Sequence, residues 1–521
     1  DKTLDMKCYK IFLSSILITS VFGCTKLNEK LNDSFEKTGT GSGAVNVTAL
    51  LNKAYSDFGV FTAQDQVFSL EENTADQTLV PTRGGDWDDN GVWRVLHAHA
   101  WDATHGQTSS VFTALGTMES DATTVLANGP TAEQAAEAYF IRTVSQFYLL
   151  DLYGQVPFRT VATYNAIGPS QVLGPQEAID TMVATIARIL PDLPASNSPY
   201  RASPDAANFL LMKILLNKGA FLNRAAPTFD AADMAQVITL GQQMMTSGKY
   251  SLTADYFDNF GPNNATTSKE MILAYPNNGT PSNNGISASG INARWMMTLH
   301  YNSWDQAAPN AGWNGFSTVA DFYNSFEAGD KRLTETYPGV TDVSGLRVGL
   351  LAGQQVDQNG NNIKDRKGNN LIFTPDVSLV ETDPNTLEDR GIRVIKYPPD
   401  YSAYSSGNQH NQQVFFRYAD VVLMVAEAQL RTNDAAATAT VNILRTARNA
   451  SPIASLDLTT LLAERGRELY WESWRRQDLI RFGKFLDPWA LKTTDDPKYL
   501  LFPIPPTQLV ANPNLKQNPG Y

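Results

Sequence analysis

The chain has 521 residues, of which 42% are hydrophobic, 10% aromatic and only 18% charged. That composition belongs to a globular body with a large core and excludes both wholesale disorder and a polytopic membrane protein. With 53 acidic against 41 basic residues the net charge is -12, which argues against a nucleic-acid partner and against electrostatic attachment to anionic lipid.

At the N-terminus, residues 6 to 24 read MKCYKIFLSSILITSVFGC: a start-like Met6, the basic pair Lys7 and Lys10, and an apolar run from Ile11 to Phe22 too short to span a bilayer. This predicts a signal peptide over 1–23 with its true start at Met6. The only two cysteines are Cys8 and Cys24, so no disulfide framework or cysteine metal site exists in the body. Gly23-Cys24 closes the apolar run like a bacterial lipobox, although Phe22 stands where a small residue is usual. Cys24 is therefore the expected lipidation site, carrying acyl chains such as palmitate. Residues 24–45 would be a polar tether, and several acyl chains would hold the protein at a membrane without any spanning helix.

From 46 onward a single domain is expected. Helical periodicity marks 131–153, where Ala136, Tyr139, Phe140, Thr143, Phe147 and Leu150 form one apolar face and Thr131 with Gln134 suits a capping box. Further helices are expected at 175–190, 204–223 and 231–247, then at 413–431, 435–449 and 457–482. Helices of this length joined by short turns suggest stacked hairpins of tetratricopeptide type, without a strict 34-residue period. The expected fold is mainly α: a helical-hairpin scaffold over about 46–250 and 411–490. It carries a loop-rich insertion over about 251–410 with short β-hairpins and a strand-like stretch at 392–397. The tail 501–521 reads as neither helix nor strand.

The nine tryptophans cluster. Trp87, Trp93 and Trp101 fall within 15 residues, Trp295, Trp304 and Trp313 within 19, and both groups lie in polar segments with no apolar period. Aromatic faces beside hydrogen-bonding side chains suit a sugar ring, whose C–H face stacks while its hydroxyls require partners. Asp76, Arg83 and Asp86 are candidate hydroxyl ligands, and Trp87, Trp93, Trp101, Trp304 and Trp313 candidate stacking faces. Packing of these rings between loop and scaffold is the competing reading. His97, His99 and His105, near Asp102, lack a metal-site framework and read as structural. Asp357, Asn359, Asn361 and Asp365 alternate oxygens as calcium loops do, but without a bidentate Glu in the twelfth position, so a hairpin turn is favoured over calcium and no cofactor is expected. The acids and arginines of 464–481 are spaced for same-face ion pairs, a structural network rather than catalysis.

The runs FRYADVVLMVAEAQLR (416–431), ERGRELYWESWRRQDLIRFGKF (464–485) and LFPIPPTQLVANPNLKQNPGY (501–521) resemble the C-terminal signature of the SusD/RagB family, the surface glycan-binding lipoproteins of Bacteroidetes. EAYFIRTVSQFYLLDLYGQVPF (137–158), FSTVADFYNSFEAGDKR (316–332) and GIRVIKY (391–397) extend the resemblance along the chain. It implies four tetratricopeptide-like helix pairs supporting a variable, ligand-bearing loop region. It also implies lipidation at Cys24, a place on the outer face of the outer membrane, and non-catalytic capture of oligosaccharide for a SusC-like TonB-dependent transporter. A surface glycoside hydrolase with paired carboxylates, or a helical-repeat scaffold binding peptide or protein, remain the alternatives.

Overall fold

Thr131 opens the longest helical hairpin as its spacing to Gln134 predicts: its hydroxyl accepts the Gln134 N–H at 3.2 Å, and the Gln134 side chain accepts the Thr131 N–H at 3.1 Å. In the computed structural model, residues 45–195, 198–277, 294–303, 312–402 and 409–521 are described. The expected signal peptide, the tether, Cys24 and Trp304 lie outside them, and residues 46–521 form one compact unit.

Eleven helices carry the scaffold: α1 (Val47–Ser56), α2 (Val67–Glu72), α3 (Gly106–Ala127), α4 (Ala132–Tyr153), α5 (Pro175–Ile189), α6 (Pro204–Leu222), α7 (Ala231–Thr246), α8 (Tyr418–Arg431), α9 (Ala437–Ala447), α10 (Leu458–Leu469) and α11 (Arg475–Arg481). Each long helix packs on its sequence neighbour, α3 on α4, α4 on α5, α6 on α7 and α8 on α9. The two helical blocks, far apart in sequence, join where α7 packs against α8. Gly241 permits that approach, since a Cβ there would lie 2.2 Å from the Val425 side chain.

Three expectations need correction. Helix α4 is not amphipathic: from Phe140 to Tyr153 every residue is buried, including Arg142, Gln146 and Asp151, because α3, α5 and α6 all pack on it. The stretch 413–431 begins as a strand, Gln413–Arg417, paired antiparallel with Met271–Tyr275, and only then turns helical. The helix foreseen over 457–482 breaks between α10 and α11, where Trp471 (φ 61°) and Ser473 (φ 63°) adopt left-handed backbone. There the Ser473 N–H donates to the buried Glu72 carboxylate at 2.7 Å, and Trp471 enters a second hydrophobic core.

That second core organises the insertion. A three-stranded antiparallel sheet, in the order Arg393–Ile395, Val348–Leu351, Thr334–Glu335, packs with Trp295, Phe316, Tyr397 and Trp471. The strand foreseen at 392–397 is its edge. The tail is also less irregular than expected: Pro506–Ala511 is a short helix, and Phe502 and Ile504 are buried.

Glu464 and Glu468 of α10, and Glu472 just beyond it, reach to other elements more than along their own helix. Glu468 lies 2.7 Å from Arg417, 2.9 Å from Arg448 and 3.1 Å from Arg332. Glu464 pairs with Arg332, Arg445 and Arg467 within 2.7 Å, and Glu472 bridges Arg417 and Lys396. All these side chains are buried. Against the cost of burial, Arg448, Arg417 and Arg332 hold the Glu468 carboxyl well below the carboxylate range, and Arg332 and Arg467 hold Glu464 at about 2. Since Arg332 and Lys396 come from the insertion, this network keys the loops to the scaffold.

Candidate functional site

Residues 82–87 set the geometry. Thr82–Arg83 pairs in parallel with Val380–Glu381, and the chain then reverses tightly: the Arg83 N–H donates to the Asp86 carbonyl at 2.9 Å and the Asp86 N–H returns to the Arg83 carbonyl at 3.1 Å. Gly84 takes the positive φ (65°) this turn requires. The turn drives the Arg83 side chain inward, where it donates to the Leu387 carbonyl and the Ser317 hydroxyl, both at 2.9 Å. Burial pushes its pKa down to about 10.

Trp87 leaves the turn with φ 60° and stays partly exposed, its indole N–H fixed on the Trp313 carbonyl at 2.7 Å. The ring lies on the backbone of Gly315, where a Cβ would come within 2.2 Å of it. Trp313 is likewise partly exposed, its ring centroid 6.4 Å from that of Trp87 and tilted by 47°, so the two indoles form a shallow angle rather than a flat wall.

Beside them the Tyr301 hydroxyl donates to the Asp86 carboxylate at 2.7 Å, and Arg366 donates to the same oxygen at 2.9 Å while its guanidinium lies 3.9 Å over the Tyr301 ring. Arg366 also pairs with Glu388, whose other oxygen meets His300 at 2.7 Å. Although burial opposes it, hydrogen bonds from His300 and Arg366 hold Glu388 down at about 2. Asp86 and Arg366 remain 41% and 49% exposed, so each can turn further hydrogen bonds toward solvent or a ligand.

Of the residues singled out in sequence, the structure thus brings together Asp86, Trp87 and Trp313. Trp93 and Trp101 are core residues: Trp93 packs edge-on against Trp87 and donates to Asp89, and Trp101 donates to the Tyr521 hydroxyl. Neither offers a face to a ligand. Arg83 is buried too, and Asp76 lies elsewhere, held by Arg475 through two bonds of 2.6 and 2.7 Å. His97, His99 and His105 are buried against backbone carbonyls, Thr78 and Ala490 for His97, Thr74 for His99 and Val92 for His105. Burial pushes His99 down to about 3.

Tyr301, Arg366 and Glu388 were not singled out. A signal for Arg366 exists, because DQNGNNIK (357–364) and DRKGNNLI (365–372) are tandem octapeptides. Each makes the same turn. Asp357 accepts the N–H groups of Asn359 and Asn361 at 2.9 and 2.8 Å, and Asp365 those of Lys367 and Asn369 at 2.8 and 2.7 Å. The second turn carries Arg366 to the aromatic surface, and the Lys364 carbonyl accepts a bond from the Asn302 amide there. Asp357 and Asp365 therefore serve two separate hairpins. Among the described residues no group of three His, Cys, Asp or Glu side chains is arranged to hold a metal ion. No described helix is long and apolar enough to cross a membrane.

The family model of the SusD family matches residues 239–521. The starch-binding protein SusD of Bacteroides thetaiotaomicron is 24% identical over 477 residues, covering 84% of this chain and 82% of that protein. Among solved structures, a SusD superfamily protein from Parabacteroides distasonis aligns with a TM-score of 0.69 at 19% identity over 91% of this chain and 98% of its own. Surface glycan-binding protein A from Bacteroides thetaiotaomicron, in complex with laminarihexaose, aligns at 0.68 and 16% identity over 91% and 98%. The mainly helical, two-block fold and this match over more than half its length show that the chain belongs to the SusD family.

Proposed function

We propose that this protein is a non-catalytic surface receptor that captures neutral oligosaccharide on the Trp87, Trp313 and Tyr301 platform and delivers it to a SusC-like TonB-dependent outer-membrane transporter. In this reading acyl chains on Cys24 hold it at the outer membrane. The observation that carries the binding role is the platform itself: two tilted, partly exposed indoles beside Asp86 and Arg366, whose hydrogen-bonding capacity is not exhausted. Sugar rings stack on such faces while their hydroxyls take the polar partners. Charge supports a neutral ligand, because Arg366 is neutralised by Asp86 and Glu388, and Arg94 by Asp88. Membership of a family whose relatives are named for starch and laminarin binding, not for catalysis, supports the same reading.

The test is calorimetric titration of the protein with starch-, laminarin- and mannan-derived oligosaccharides, with reducing ends assayed in parallel. The reading expects saturable binding of at least one neutral glycan, lost in the Trp87→Ala, Trp313→Ala double variant, with no new reducing ends. Release of reducing ends, or binding indifferent to both tryptophans, overturns it. Delivery is tested separately by co-purification of the lipidated protein with a SusC-like transporter from its own outer membrane.

A further inference from the structure

A cavity of about 370 Å³ opens on the scaffold along the seam of α4 and α5, and it shares no residue with the aromatic platform. Its lining includes Tyr139, Arg142, Phe158, Thr181, Thr185 and Arg188, and no carboxylate among the described residues lines it. Two guanidiniums lie over aromatic rings there, that of Arg188 3.9 Å from the Tyr139 centroid and that of Arg142 4.3 Å from the Phe158 centroid. Their charges are used differently. Arg142 is buried and donates to the Glu119 carboxylate at 2.7 Å and to the Arg159 carbonyl. Arg188 is exposed, and among the described residues no carboxylate or carbonyl accepts a bond from it. The Tyr139 ring steadies that guanidinium while its N–H groups stay open to a ligand.

The hydroxyls of the lining narrow the ligand further. Threonines of the neighbouring helices turn back on their own backbone: Thr113, Thr117 and Thr123 of α3 and Thr143 of α4 donate to the carbonyl four residues earlier, at 3.0, 3.1, 2.8 and 2.8 Å. Thr181 and Thr185 of α5 make no such bond, and the Tyr139 hydroxyl also has no partner among the described residues. All three residues are only partly buried, and none of these oxygens is sealed from solvent. Thr181, Thr185 and Arg188 follow at steps of four and three, so they share one face of α5. The cavity therefore presents one uncompensated cation and three hydroxyls that can each donate and accept. A bare carboxylate or sulfate would satisfy Arg188 and leave the hydroxyls unused in a space of roughly twelve waters, at about 30 Å³ each. What fits is a ring that carries hydroxyls and one negative charge.

We infer that this cavity is a second binding site that takes an acidic sugar unit, its carboxylate on Arg188 and its hydroxyls on Thr181, Thr185 and Tyr139. The inference rests on the glycan-capture reading for the source of the sugar, but not on the platform. The test is calorimetric titration of the protein at low salt with the dimers of galacturonic, mannuronic and guluronic acid. Their methyl esters, which keep the rings and hydroxyls but not the charge, are titrated in parallel. Saturable binding of at least one acid in the millimolar range is expected, weakening as salt rises, with its ester bound far less. Arg188→Gln should weaken that binding about tenfold or more. Ala184→Leu, which fills the lining from an exposed position on α5, should give the same loss. The Trp87→Ala, Trp313→Ala double variant should leave it intact, so the two sites succeed or fail independently. Four results overturn the inference: no saturable binding of any of the three acids, an ester bound as tightly as its acid, an acetylated and amidated Glu-Glu dipeptide bound as tightly as the sugar, or binding that survives both Arg188→Gln and Ala184→Leu.

Discussion

Two clusters of arginine and carboxylate in this molecule use the same chemistry to different ends. Around Glu468 the side chains are buried and each charge meets two or three opposite ones, so the hydrogen-bonding capacity is spent inside. Around Asp86 the pairing with Arg366 and Tyr301 is comparably short, but both charged groups are nearly half exposed. A buried cluster fixes which elements meet, because any other packing strands a charge in low dielectric. An exposed one contributes little to stability, and its remaining lone pairs and N–H groups stay available for another molecule.

Breaking each cluster should show the difference. Glu468→Ala, which leaves Arg332, Arg417 and Arg448 short of a partner, should cost about 3–5 kcal/mol or prevent folding, read by urea denaturation. Acid should act on the same cluster. Glu464 is held at about 2 against an ordinary 4.5, so its contribution is present above about 4.5 and is lost as pH falls toward 2. Glu72 runs the other way: burial pushes it up to about 7, so its proton favours the fold at low pH and that gain disappears between 4.5 and 7. Unfolding free energies measured from pH 8 to pH 3 should therefore fall most steeply at the acid end.

At the surface the effects move from stability to binding. Trp313→Ala should weaken glycan binding by about 1–2 kcal/mol, roughly tenfold, in calorimetry, with little change in melting. Gly315→Ala should weaken binding through displacement of the Trp87 ring, by less than removal of that ring. Smallest of all, Arg366→Ala should change stability by under about 1 kcal/mol while lowering affinity a few-fold. A large loss of stability there would erase the distinction between the clusters.

The scaffold was legible because helical spacing and length mark α4 to α9 and side-chain caps open α4, α6 and α7; what misled was local pattern overridden by tertiary contact. Residues 413–417 leave the helix that follows to pair as a strand with 271–275, and nothing local announces the left-handed Trp471 and Ser473. The platform was half legible. Clustered tryptophans in polar sequence marked the right segments, but nothing in the local sequence separates Trp87, left-handed and partly exposed, from Trp93, right-handed and buried. Tyr301 and Arg366 reach Asp86 across 215 and 280 residues of chain, and no spacing rule spans that distance.

The ribbon of Met271–Tyr275 and Gln413–Arg417 brings the start and end of the loop region side by side next to α8. Those two strands are natural splice points for exchanging one ligand-reading module for another on an unchanged frame. The exchange has a condition. Arg332 and Lys396 travel with the module while Glu464, Glu468 and Glu472 stay behind. A transplanted module without cations at those two places would leave Glu464, Glu468 and Glu472 each one buried partner short, with only the frame's own arginines to meet them, so the frame itself screens which loops it accepts.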